Sequence, residues 1–173
     1  MRIATALGIA ASLLVSAAQA ADRKIDDFYG RWVGTGQATQ GTKTTQSRDS
    51  EVVIEKTGDG FKISWTTMSS AIDDASRSKV KTSELTFKRT KKTNVFVDTK
   101  SGHALDGKKT TWARLSGDTL SISQLVVGED GQWDVTLYER TLKGADNMAL
   151  AFTRITNGAL GRQASLAMTR AKD

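Results

Sequence analysis

Runs of six to ten residues rich in Thr, Val and Ser recur along this chain, and turns built on Gly, Asp or Asn separate them. That punctuation constrains the fold more than any other feature. The turns are Thr57-Gly58-Asp59-Gly60, Ser116-Gly117-Asp118, Gly128-Glu129-Asp130-Gly131, Gly144-Ala145-Asp146-Asn147 and Thr156-Asn157-Gly158. These residue types supply the positive φ that tight hairpins need. The chain has no proline, and past residue 20 no helical period is sustained. Short, evenly spaced strands joined by hairpin turns are the pattern of a meander closing into a barrel or sandwich. The spacing predicts strands over 31–39, 50–57, 61–68, 80–90, 93–99, 110–116, 119–127, 132–142, 148–156 and 161–171, with one helical turn within 22–29 ahead of the first.

Period-two alternation assigns an inner face to most of these strands. Phe61, Ile63 and Trp65 share one side, as do Leu85 and Phe87, Leu120 and Ile122, Met148, Leu150 and Phe152, and Leu166 and Met168. On 132–142 the same rule selects Trp133, Val135 and Leu137. One apolar face per strand predicts an all-β fold, an antiparallel up-and-down barrel of about ten strands with its core inside. An outer-membrane barrel inverts this pattern and adds aromatic girdles. Aromatic residues make up 6% of this chain, which ends in Arg-Ala-Lys-Asp, so a membrane-spanning barrel is not expected.

If the strands alternate up and down, their connections sort into two ends. The segments 58–60, 91–92, 117–118 and 143–147 are short and turn tightly at one end. Those over 40–49, 69–79 and 100–109 are long and polar and mark an open end, where binding is expected. Trp32, Arg89, Glu139 and Arg170 all fall at the tightly turned end and are expected to form a structural plug. A guanidinium over the indole adds cation–π attraction, and Glu139 beside Arg170 would neutralise a charge that is costly to bury.

Gly30-Arg31-Trp32, followed by Arg170 late in the last strand, resembles the Gly-x-Trp signature and terminal arginine of the lipocalin and fatty-acid-binding (calycin) superfamily. The longer form Gly30-x-Trp32-x-Gly34-x-Gly36 is similar to the start of nitrobindin-like bacterial barrels. The resemblance implies a barrel that holds small hydrophobic or amphipathic molecules. Nitrobindin-like proteins hold haem through a histidine late in the chain. No histidine follows His103 here, so haem is not carried over and no cofactor is expected.

Trp65, Gln124, Trp133, Phe152 and Arg154 are expected to face inward near the open end, with His103 in the 100–109 loop above them. An apolar wall with a few polar groups suits an amphipathic ligand, Arg154 meeting its carboxylate or phosphate. The same residues would equally serve to fill a core. Catalytic sets are missing from the pattern. Asp26-Asp27 and Asp73-Asp74 are adjacent, so their side chains diverge, and no Gly-x-Ser-x-Gly elbow exists. Gly34-Thr35-Gly36 lies in a strand with no helix after it, so it is read as a sharp coil rather than a phosphate loop. The absence of Cys rules out disulfides and thiol chemistry, and a single His rules out a histidine-rich metal site. The expectation is a non-enzyme without a metal.

Met1-Arg2, an apolar run over 3–15 and the small residues ending in Ala18-Gln19-Ala20 read as a signal peptide over 1–20, too short to span a bilayer. Cleavage would leave a single barrel domain over 21–173 in the periplasm or outside. The formal charge is +6, and 77–114 holds eleven basic residues against three acidic ones. Two readings follow. One is a binding protein for a small hydrophobic or amphipathic molecule. The other is a non-catalytic envelope protein whose basic face docks on anionic lipids or polysaccharide. Nucleic acid is not an expected partner.

Overall fold

The computed structural model describes residues 23–41, 43–72 and 78–172. The expected signal peptide lies outside the described residues. A 3-10 turn at Ile25–Phe28 leads into ten strands: β1 (Gly30–Gln40), β2 (Lys43–Thr57), β3 (Gly60–Ala71), β4 (Ser78–Arg89), β5 (Val95–Asp98), β6 (Thr110–Ser116), β7 (Thr119–Val127), β8 (Trp133–Leu142), β9 (Asn147–Thr156) and β10 (Ala159–Arg170). Each strand pairs antiparallel with its sequence neighbours. The last pairs with the first, from Trp32 opposite Arg170 to Gln40 opposite Arg162, and so closes the barrel. All-β architecture, antiparallel order and closure are as the alternation predicts.

The open end differs from expectation. Segment 40–49 is not a loop, because β2 begins at Lys43, and β3 and β4 extend to Ala71 and from Ser78. The wall here is built of Thr, Ser and Gln, which carry no apolar alternation but favour extended backbone and pair across strands. Thr66 and Thr82 hydroxyls meet at 2.9 Å, as do those of Ser70 and Ser78. The connection after β5 stays long and contains a 3-10 turn at Ala104–Asp106.

The second difference is on β8. Arg140 and Leu142 are buried, while Trp133 stands 37% exposed. Tyr138, Arg140 and Leu142 therefore face inward, and Trp133, Val135, Leu137 and Glu139 face out. The neighbours impose this parity. The inward residues Leu120 and Ile122 lie opposite Arg140 and Tyr138, and Leu142 lies opposite buried Met148. Val135 joins an outer apolar row with Leu125, Ile155 and Leu160.

Trp32 and Arg170 meet at the closed end. Trp32 is fully buried, and its indole N–H donates to the Phe28 carbonyl at 3.0 Å. The Arg170 guanidinium lies 4.2 Å from the centre of that ring. It donates to the carbonyls of Tyr29, of Asp27 at 3.0 Å and of Ala145 at 3.1–3.2 Å. One cation thus ties the chain's entry, its last strand and the β8–β9 turn. Two plug assignments are corrected. Arg89 sits at this end but over Phe96, 5.2 Å from its ring centre. Glu139, on the outer face of β8, borders a shallow outer groove with Thr119, Thr141 and Ala149. The parity of β8 removes it from the interior.

Glycines make the seam between β1 and β10 possible. A Cβ on Gly34 or Gly36 would stand 2.1 Å from the Ala167 carbonyl oxygen or 2.0 Å from that of Ser165. Gly30 has φ +121°, and a Cβ there would press on the Arg170 guanidinium at 2.8 Å. Gly30→Ala therefore adds backbone strain and pushes Arg170 off its carbonyls. We expect a stability loss of about 2–3 kcal/mol, measurable by urea unfolding.

Candidate functional site

The lower half of the barrel is filled. Phe61 stacks on Phe87 at 4.8 Å and meets Phe96 edge-on at 5.1 Å. Ile54, Ile63, Leu120, Ile122, Met148 and Met168 pack around them, each nearly or wholly buried. Above this layer the barrel is hollow. A cavity of about 540 Å³ opens between the upper parts of β2, β3, β4, β8, β9 and β10, within the range of small-molecule sites.

Its wall is aromatic on one side. Trp65, Tyr138 and Phe152 form a chain, with ring centres 5.4 Å and then 5.1 Å apart. Val52, Leu150 and Leu166 continue the apolar lining, and Ser50, Thr67 and Ser83 add hydroxyls. The Ser50 hydroxyl is held by the Thr66 carbonyl at 3.1 Å.

At the base of this space lies Arg140. It projects from β8 between Leu120 and Leu150, one inward position below Tyr138. It is 1% exposed. Its guanidinium carbon is 5.6 Å from the ring centres of both Trp65 and Tyr138. Its Nε and Nη1 have no hydrogen-bond partner. Among the described residues no acid pairs with it. Burial pushes its pKa well below the usual guanidinium value, to about 10, an effect opposed in part by Tyr138. The Tyr138 hydroxyl is itself pushed up by burial, against the pull of Arg140 and Arg48. A buried cation without an anion is costly, and two aromatic faces offset only part of that cost. The arrangement is chemically suited to receive a carboxylate or phosphate from the cavity.

Of the residues expected at the site, Trp65 and Phe152 line the cavity, and Arg154 lies at its mouth. Arg154 is already paired. Its Nη2 and Nε reach the Asp134 carboxylate at 2.6 and 3.1 Å, and the Thr156 hydroxyl donates to the same group. These bonds hold the Asp134 carboxyl below its ordinary range. Gln124 faces inward on β7, between Thr111 and Thr136, but is not part of the cavity wall. Trp133 is displaced to the outer surface by the parity of β8. His103 is exposed beside the 3-10 turn, with Nδ1 3.7 Å from Asp106, and does not reach the cavity. Sequence reasoning missed Tyr138, Arg140 and Arg48. A usable signal existed: counting back from the Leu142–Met148 pair sets Tyr138 opposite Phe152. Among the described residues no cluster of three His, Asp or Glu side chains converges on a metal position. No described helix is long and apolar enough to cross a membrane.

No family model matches the sequence, and no curated protein does. Solved structures do match in shape. A protein of unknown function from the DUF3598 family of Nostoc punctiforme aligns with TM-score 0.58 and 14% identity over 86% of this chain and 49% of its own. This chain thus spans about half of that protein's length. Rv2717c from M. tuberculosis aligns with TM-score 0.51 and 12% identity, over 86% of this chain and 95% of its own. At these identities the likeness concerns the fold alone.

Proposed function

We propose that the protein binds a small amphipathic anion inside the upper barrel, apolar body against Trp65, Tyr138 and Phe152, acidic group on Arg140. The observation that carries this reading is the buried, unpaired Arg140 guanidinium at the base of an open cavity. The Gly30-x-Trp32 start and late Arg170 support kinship with the lipocalin and fatty-acid-binding barrels. The signal-like residues 1–20 support a periplasmic or secreted location. Binding without catalysis is the preferred reading, because the one histidine lies exposed and away from the cavity.

Tryptophan emission tests it, since Trp65 forms part of the wall. Dodecanoate should alter the emission saturably and bind about tenfold more tightly than the neutral dodecanol, the difference one charge-assisted contact provides. A flat response to both, with no adduct by native mass spectrometry, would refute the reading. The alternative, docking on anionic envelope polymers, is favoured by exposed Lys88, Lys91 and Lys92 near the closed end. It requires that changing these three to Glu weaken retention on anionic vesicles.

A further inference from the structure

We propose that the ligand carries two separated negative charges, one received by Arg140 at depth and the second at the mouth by Arg162, Lys79 and Lys81. The inference rests on the anion-binding reading above and names the class of ligand. Its basis is the sign of the cavity. Arg48, Arg140, Arg162, Lys79 and Lys81 all line it, and among the described residues no Asp or Glu does. Asp134, beside the mouth, is taken up by Arg154 and Thr156.

Two features of the backbone aim these cations inward. Lys79 and Lys81 share parity with buried Phe87 on β4, so they turn over the mouth instead of joining the outer wall. On β10, Arg162 shares parity with buried Ala164, Leu166 and Met168, so ordinary alternation turns it to the cavity. Between these and Arg140 sits Arg48, half-buried, its Nε unpartnered and its Nη2 3.4 Å from the Gln46 side-chain Oε1. Burial, and then the charge of Arg162, hold the Arg48 pKa below its ordinary value.

A ligand with one charge at Arg140 leaves the remaining cations repelling one another. A second charge at the mouth relieves them, and because the mouth is wet its desolvation cost is small. The spacing follows from β9. Leu150 lies beside Arg140, and Arg154 marks the mouth four residues on. At ~3.4 Å per residue that is about 14 Å of strand.

The probes are dodecanoate and dodecanedioate, titrated by tryptophan emission at low salt with the full chain. The dicarboxylate is expected to bind about tenfold more tightly, a margin that shrinks with added salt. In the Lys79→Gln, Lys81→Gln, Arg162→Gln triple variant the ratio should fall to about one. Equal affinities in the native protein, or tighter binding of the monocarboxylate, would overturn the two-charge ligand while leaving the anion-binding reading standing. Failure of both to bind would overturn that reading as well. A dicarboxylate advantage that survives in the triple variant would overturn the assignment to these three cations.

Discussion

Arg170→Ala is expected to destabilise the barrel by about 3–4 kcal/mol and to lower its melting temperature by roughly 10 °C. The guanidinium donates to three backbone carbonyls, those of Asp27, Tyr29 and Ala145, and covers the Trp32 ring at 4.2 Å. Its removal leaves three carbonyls from two separate segments without a shared donor and opens the end of the core. Bonds from a charged donor contribute more than neutral ones, and the barrel has no disulfide to hold this end shut. Arg170→Lys should recover less than half of the loss, because an ammonium is a point donor and cannot fork to three acceptors. Differential scanning calorimetry of the two variants decides. An alanine variant melting within about 2 °C of the parent would show that Trp32 packs this end without the cation.

Arg140→Met is expected to act in the opposite direction on stability while removing carboxylate selectivity. Burial lowers the Arg140 pKa from its ordinary value to about 10, a cost of about 3 kcal/mol for keeping the charge in the folded state. The contacts with Trp65 and Tyr138 return part of it. The sign follows from proton counting. With the folded pKa below the unfolded one, the folded state binds fewer protons between about pH 10 and the ordinary arginine value, so stability rises only there and the penalty is fully present at neutral pH. Methionine fills similar volume without a charge, and replacement of buried ions by apolar groups is often stabilising. The ligand-free variant should therefore melt roughly 3–6 °C higher than the parent, yet bind dodecanoate no better than dodecanol. A variant that melts several degrees lower would mark Arg140 as a structural residue and not a receptor for the ligand.

Much of the fold was legible. The bounds of β6 and β7 match the turn-to-turn spacing, because Ser116-Gly117-Asp118 leaves little choice of register. Trp32 and Arg170 could be paired from a short motif and a late arginine, since both serve closure of the sheet on itself. The candidate site was less legible, for two reasons. The upper strands are lined by Thr, Ser and Gln, so their sequence resembles loop. On β8 the inward positions at the open end are the polar Asp134 and Thr136, and alternation followed the apolar Trp133, Val135 and Leu137 to the wrong side. That error hid Tyr138 and Arg140 and placed Glu139 in the floor. A hydrophobic count cannot anticipate an arginine held at 1% exposure, because its position is set by the residues opposite it and disfavoured by its own chemistry.

The most direct measurement is an NMR spectrum of the arginine side-chain Nε–H groups, with and without ligand. The resonance absent from Arg140→Met identifies Arg140. It is predicted to shift on addition of dodecanoate and to stay in place with dodecanol. A stationary Arg140 resonance under saturating dodecanoate, while resonances of other arginines move, would contradict the account.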